Sequence, residues 1–585
     1  IQPELLYVIP KDCHTADSIS RLLLEHPEVR YVSLAGIDLA GNDTDEKIPV
    51  RLFIDNIDAY LHGGVQTDGS SVVLPGIATL NDGKVDLIAD LSVNWYVDYN
   101  FENIGLVCKK PCGTLRIPSF LSHNGNLVCS RSVLRRACDR FSAEMKKLLH
   151  ERPAICAQWK IRPDDITEVT LTAATELEFW VQTPEQSYNR EQLSVSQGLK
   201  EQYWKRTKGI VRTALEHSID ILEIYGLKPE MGHKEVGGVK ATLTGGGNLD
   251  HIMEQLEIDW RFAEASQAAD NELFARIFIK EVFRLHGLEA SFMAKPIEGV
   301  AGSGEHFHVN AVAVLNDGRR VNLFSPADFY TDFLNEIGWG ALMGFMKHYG
   351  VISPFITVTT DGFNRLKPGF EAPTHAVASL GCDIETASRN RTVLVGLIRN
   401  EESPISTRFE VRSPNPHTNT YLALAAIYQG MLDGINYALC SGRTPGDLER
   451  EFCKDAGEPA EYLLTERAYR SEADVFVTYT EEERDRLYGK PPASVYETLR
   501  HLLHQTDGLE VLCRGDVFSD RILSSYSKAM LDRWEMELGE RLLQNNLDRV
   551  RACARAHDPA EYDDGLWHEI NELRQIGRAS CMERV

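Results

Sequence analysis

Three short stretches of this 585-residue chain set charged or ligating side chains two positions apart inside apolar sequence. They are Glu176-Leu177-Glu178, His306-Phe307-His308 and Arg408-Phe409-Glu410-Val411-Arg412. Residues i and i+2 of an extended strand share a face. Each stretch therefore turns its polar pair to one side and its Leu, Phe or Val to the other. Carboxylates gathered in a cleft repel one another and lose hydration, so a metal or another bound cation is the simplest chemistry this pattern predicts.

Further groups extend that inventory. Glu230 and Glu235 follow a Gly-Leu-Lys-Pro break, and Glu257 comes later. Gly302-Ser303-Gly304 feeds directly into the strand bearing His306 and His308. Neutral imidazoles suit a divalent metal or a phosphate-bearing substrate. The Pro/Gly-punctuated loop Arg365–Pro373 carries Arg365 and Glu371 and reads as a flap over a charged substrate. Arg389, Arg391, Arg408 and Arg412 can grip carboxylate or phosphate oxygens bidentately. As a set, these residues suit divalent cations bridging nucleotide phosphates, with arginines on a transferring phosphoryl group. The sequence has neither a Walker A pattern nor a strand–GxGxxG–helix unit, which disfavours P-loop and Rossmann nucleotide sites.

The elements that position these groups are legible in outline. Tyr31–Ala40, Ile48–Ile54 and Val85–Leu91 read as short strands of a small β-rich unit. Ser130–Glu151 carries apolar residues at helical spacing, as does Ala265–Leu285. Strands and long helices alternate from about Ile166 to Pro416, and all three paired stretches fall there. Tyr421–Ala438 is a nearly apolar, buried helix, and charged helical sequence follows in Tyr479–Tyr488, Ser494–His504 and Asp520–Ala556. The net charge of −24 opposes a nucleic-acid footprint or a basic membrane-surface helix. No apolar run reaches the ~18 residues of a transmembrane span. Twelve scattered cysteines with no zinc-type spacing read as reduced thiols of a cytoplasmic protein. The start, Ile1-Gln2-Pro3, reads as truncated, and residues 576–585 read as translated sequencing adapter.

Eight strings, in order, resemble the glutamine synthetase superfamily: Asp68–Ser71, Thr175–Phe179, Glu230–Glu235, Glu257, Gly302–His308, Asn364–Pro373, Arg389–Arg391 and Arg408–Pro414. The resemblance implies an α+β fold. A β-grasp domain would span residues 1–110, and a catalytic domain with an antiparallel sheet and flanking helices would span 111–540. An insert near 236–254 and a helical extension over 541–575 complete the layout. It also implies a homo-oligomer, a dodecamer of two hexameric rings, with sites between neighbouring subunits.

The reaction implied is ATP-dependent synthesis of glutamine from glutamate and ammonia through a γ-glutamyl phosphate, with two or three Mg2+ or Mn2+ ions. Carried over by motif, Glu178, Glu235 and Glu257 would hold one metal, and Glu176, His306 and Glu410 the other. Glu230, His308 and Arg408 would lie by the nucleotide. Gly302, Arg365 and Arg412 would bind glutamate, and Arg391 the transferring phosphoryl group. Asp68 of an adjacent subunit would attract ammonium, and Glu371 would help deprotonate it.

Several residues depart from the family pattern. Glu257 follows Glu235 at a longer interval than in common bacterial members, Ala301 replaces a usual Asn, and Lys234 a usual His. Gly396 and Ile405 stand where basic residues often occur. The alternatives are a γ-glutamyl ligase for a polyamine or ethanolamine, and a non-catalytic paralogue. Retention of Asp68 and Glu371 favours ammonia, and retention of all six metal-type residues opposes the silent paralogue.

Overall fold

The computed structural model describes residues 2, 4–105, 108–184, 204–243, 249–297, 299–367, 373–504, 508–554, 565, 567–568 and 570–575. It is an α+β chain with two sheets. The first sheet contains β1 (Val8–Ile9), β2 (Val29–Gly36), β3 (Ile48–Pro49), β4 (His62–Asp68), β5 (Lys84–Ala89), β6 (Trp95–Ile104), β7 (Pro111–His123) and β8 (Asn126–Leu127). Its path runs β1-β6-β7-β2-β3, with β5 also on β7 and β4 on β5. Among the described residues of this sheet, only β2 and β7 pair in parallel. The sheet thus continues past residue 110, and β7 is its centre. Ile48–Ile54 does not form one strand: β3 ends at Pro49 and Val50–Asp55 is helical. Phe53 of that turn of helix is fully buried, so this side chain reaches the core from a helix and not from a sheet face.

The second sheet positions the chemistry. It contains β9 (Ile166–Pro184), β10 (Pro229–Leu243), β11 (Leu249–Trp260), β12 (Ala263–Glu264), β13 (Glu289–Ser291), β14 (Glu305–Leu315), β15 (Arg320–Asn322), β16 (Ala378–Ser379), β17 (Val395–Ile398) and β18 (Arg408–Val411). The path is β10-β11-β9-β14-β18-β17-β16, antiparallel except between β16 and β17. Residues 236–243 and 249–254, read as an insert, lengthen the β10–β11 hairpin.

One face of this sheet is apolar. Leu177, Phe179, Leu256, Ile258, Phe307, Val309, Phe409 and Val411 are at most 1% exposed. Helix α1 (Ser130–Glu151) and helix α2 (Ala265–Leu285) lie against β9 on the core side, where Phe283 meets the edge of Phe179 at a centroid distance of 5.4 Å. Both helices keep the bounds their periodicity predicts. Helix α3 (Glu336–Ile352) and helix α4 (Thr420–Ser441) form a buried pair. A Cβ on Gly344 would lie 2.2 Å from the Gly430 carbonyl, and one on Gly434 2.0 Å from the Gly340 carbonyl. These backbones approach so closely that only glycine fits. No helix among the described residues is long and apolar enough to cross a membrane.

Candidate active site

The opposite face of the second sheet is polar because its registers align the paired residues. His233 on β10 stands opposite Glu257 on β11, and Glu257 opposite Glu178 on β9. Asp259 stands opposite Glu176, Glu176 opposite His306 on β14, and His308 opposite Glu410 on β18. Cross-strand partners project to the same side. Acids and imidazoles from five strands therefore line one face.

Two groups of possible ligands result. In the first, Glu176, His306 and Glu410 each offer one atom, all within 4.8 Å of one another. In the second, His233, Glu235 and Glu257 do the same. The first group is the trio expected from sequence. In the second, His233 stands in the place expected of Glu178, with Nε2 3.2 Å from Glu257 Oε1. Glu178 lies just beneath, its carboxylate accepting from Gln255 Nε2 at 3.0 Å and from the Gly304 amide at 2.8 Å. The long interval between Glu235 and Glu257 is absorbed by the hairpin. Its strands shift register between Lys234 and Val239, yet Glu257 returns opposite His233.

Charge crowding leaves its mark. Burial, followed by repulsion from Glu176, Glu178, Asp259 and Glu410, pushes the Glu257 carboxyl well above its usual range. Burial also penalises the Glu176 carboxylate, but His308 and His306 outweigh it and hold the group well below that range. His306 Nε2 is buried without a hydrogen bond and lies 3.7 Å from Glu178 Oε1. His306 Nδ1 faces Glu176 Oε2 at 3.2 Å and Glu410 Oε1 at 3.5 Å, and an imidazole set among crowded carboxylates fits a divalent cation.

Imidazole and guanidinium groups fix these acids. Arg408 Nε donates to His308 Nδ1 at 3.0 Å, so His308 Nε2 donates to Glu176 Oε1 at 2.7 Å. The arginine thus selects the tautomer that orients a ligand carboxylate. Arg412 donates to Glu410. Arg365 is fully buried and held below the ordinary guanidinium range, at about 10, by burial, which Glu178 partly offsets. Its two terminal nitrogens donate to the carbonyls of Ser413 and Arg412 at 3.1 Å each. Gly304 passes directly over this knot. A Cβ there would lie 2.7 Å from both Arg365 and Glu178 and 2.8 Å from His306.

Above this floor opens a cavity of about 550 Å³. Glu176, Glu235, Glu257, His306, Arg391, Glu410 and Arg412 line it, as expected from sequence. Glu178, Glu230, Gly302, His308, Arg365 and Arg408 do not. Glu230 is exposed and paired with Arg261 at 3.0 Å, while Gly302 accepts from Gln255 at 2.9 Å beneath the floor. Asp68 ends β4 in the first sheet, outside the cavity, accepting from the Ser70 amide at 2.8 Å. Glu371 lies outside the described residues.

Sequence reasoning missed His233, Asp259 and Trp204 on the cavity wall. The first two obey the same two-residue rule, beside Glu235 and Glu257 respectively. Trp204 carries no such signal: its position rests on a positive φ of 56° and a hydrogen bond donated by its backbone amide to the Lys234 carbonyl at 2.9 Å.

Residues 162–447 match the family model described as glutamine synthetase, catalytic domain. The chain is similar to the glutamine synthetase of Pyrococcus horikoshii, 27% identical over 70% of this chain and 75% of that one. It is similar to that of Staphylococcus epidermidis at 28% identity, over 74% and 82%. Among solved structures, GmaS without ligand aligns over 92% of this chain and 99% of its own, with a TM-score of 0.61 at 19% identity.

Proposed function

Residues 162–447 place this chain in the glutamine synthetase family, and from that premise we propose that it is an ATP-dependent ligase joining the γ-carboxyl of glutamate to ammonia. The observation that carries the reading is the meeting of two ligand trios and three arginines, Arg389, Arg391 and Arg412, in one cavity. Glu176, His306 and Glu410 would hold one divalent ion, and His233, Glu235 and Glu257 the other, with Glu178 behind them. Bound there, the ions supply Lewis acidity and neutralise phosphate charge during transfer.

The chain's own groups do the rest. Arg391 faces the transferring phosphoryl group, and Arg412 a glutamate carboxylate. A γ-carboxylate oxygen attacks the γ-phosphorus of ATP, and ADP leaves with the electrons of the broken P–O bond. The amine nitrogen then attacks the acyl carbon of the γ-glutamyl phosphate. Inorganic phosphate departs with the C–O electrons, and a carboxylate takes the proton. Glu371 on the flap is our candidate for that base, and Asp68 of a neighbouring subunit for the group that attracts ammonium.

A second reading has one observation in its favour. Trp204 is 61% exposed, and it lines the acidic cavity. An aromatic face beside carboxylates suits an alkylammonium ion as well as ammonium. Phosphate release with ATP and Mg2+ or Mn2+, crossed over a panel of acids and amines, decides. Release that requires glutamate and saturates with ammonia supports the first reading. Release only with a larger amine, or only with another acid, overturns it.

A further inference from the structure

The loop of residues 380–392 brings Ser388, Arg389, Asn390 and Arg391 to the cavity, and its two ends hang on one downstream segment. Residues 469–473 run parallel to β16, through Ala378 N to Tyr469 O at 2.8 Å and Ser471 N to Ala378 O at 2.9 Å. From that added strand the Glu472 carboxylate accepts from the Leu380 amide at 2.9 Å and the Gly381 amide at 3.1 Å. It also accepts from Ser379 Oγ, which is bonded to Ser388 Oγ at 2.6 Å. Arg470 closes the turn, donating to Glu472 at 2.9 Å and to the Gly381 carbonyl at 2.9 Å.

The other end is tied to the same segment. Asn390 Nδ2 donates to the Ala473 carbonyl at 2.9 Å and the Ser471 carbonyl at 3.3 Å. Its Oδ1 accepts from Thr392 N at 3.0 Å and Thr392 Oγ1 at 2.7 Å, and Thr392 Oγ1 accepts from the Val475 amide at 3.2 Å. A guanidinium group stabilises developing charge only when it is already in place, and a loop of this length left to itself would sample many positions. Glu472 is not among the residues that line the cavity.

We propose that Glu472 is the positioning residue for Arg389 and Arg391: its carboxylate binds the start of their loop to residues 470–475, which also anchor Asn390 between the two arginines. This rests on the ligase reading only for its catalytic consequence, so the test has one readout that needs no turnover. Hydrogen exchange of peptides covering 380–392 is compared in the full-length wild type, Glu472→Gln and Glu472→Ala. Exchange should quicken in Glu472→Ala and lie between in Glu472→Gln, with the melting transition of the remainder retained. Unchanged exchange in both variants overturns the proposal whether or not the protein is a ligase.

In the phosphate-release assay, Glu472→Ala should lower kcat about 10- to 100-fold, the cost of a reacting group displaced by about 1 Å. The Kd for ATP should stay unchanged. Glu472→Ala added to the Arg389→Ala/Arg391→Ala variant should cause no further loss of turnover, because the carboxylate acts through those two side chains. Losses that multiply in that combined variant also overturn it. Should Glu472→Ala fail to fold, Glu472→Gln carries both measurements. Absence of turnover in the wild type rejects the ligase reading and leaves the exchange result to decide this one.

Discussion

His308 shows how one side chain's bonds set its job. Its Nδ1 accepts from Arg408 and its Nε2 donates to Glu176, so its interactions go to a ligand carboxylate and not into the cavity. Partners that orient a metal-binding residue are typically worth about 10- to 100-fold in metal affinity. His308→Ala should therefore weaken Mg2+ or Mn2+ binding by about that factor, with nucleotide affinity measured apart from metal little changed. Titration calorimetry separates the two, and an intact metal Kd with weakened nucleotide binding would restore the nucleotide role expected from sequence. The two-residue spacing of Glu176/Glu178 recurs in His233/Glu235 and Glu257/Asp259, so each strand presents its polar pair to one face.

At the scale of elements, the hairpin and a short helix hold the site in register. The β10–β11 pairing places His233 opposite Glu257 below the shift at Lys234/Val239, and register within a half-buried sheet is fixed by the faces it buries. Replacing residues 239–253 with a short turn should leave divalent-metal affinity within about tenfold of the wild type, because His233, Glu235 and Glu257 all lie outside that segment and loop length changes the cost of closure little. A complete loss of metal binding would mean that the distal hairpin sets the register. The helix Thr360–Arg365 brings Arg365 under the floor, and Asp361 anchors it, accepting from the Ala294 amide at 3.0 Å and facing His417 Nε2 at 2.9 Å.

Burial opposes the Asp361 carboxylate, but the His417 contact outweighs it and holds the group well below its ordinary 3.8. A depressed acid contributes stability that is present above its unfolded value and lost as the pH falls below it. The wild-type melting temperature should thus drop as the pH falls below about 3.8. Asp361→Asn should flatten that limb and cost on the order of 2 kcal/mol at neutral pH. An unaltered acid limb in the variant would remove Asp361 from this account.

For the whole molecule, the first sheet is the unexplained partner of the second. Asp68 is fully solvent-exposed at the tip of β4, outside the cavity, while every ligand of both trios comes from the second sheet. Asp68 is our candidate for the ammonium site of a neighbouring copy, and that assignment predicts complementation between variants. Mixing Asp68→Ala subunits with Arg365→Ala subunits should therefore restore activity that neither variant has alone, through sites that receive both intact residues. Mixed assemblies verified by differential tagging that stay inactive would place Asp68 outside the chemistry.

The sequence by itself determined the faces. Strand alternation put Glu176 with Glu178, His306 with His308 and Arg408 with Glu410 and Arg412 on one face of their own strands, helical periodicity bounded Ser130–Glu151 and Ala265–Leu285, and eight ordered strings indicated the family. These signals are local, and a period of two or of 3.6 residues survives without knowledge of neighbours. Only the tertiary structure decided which faces meet. Register, and not spacing, put His233 beside Glu257 and moved Glu178 beneath the floor. Burial turned Ile48–Ile54 partly into helix, and it withdrew Arg365 from the cavity to bind carbonyls. The tie from Glu472 to the arginine loop joins residues about ninety positions apart. Such closure depends on the whole fold's packing, because no local pattern encodes which distant carboxylate will find two open amides.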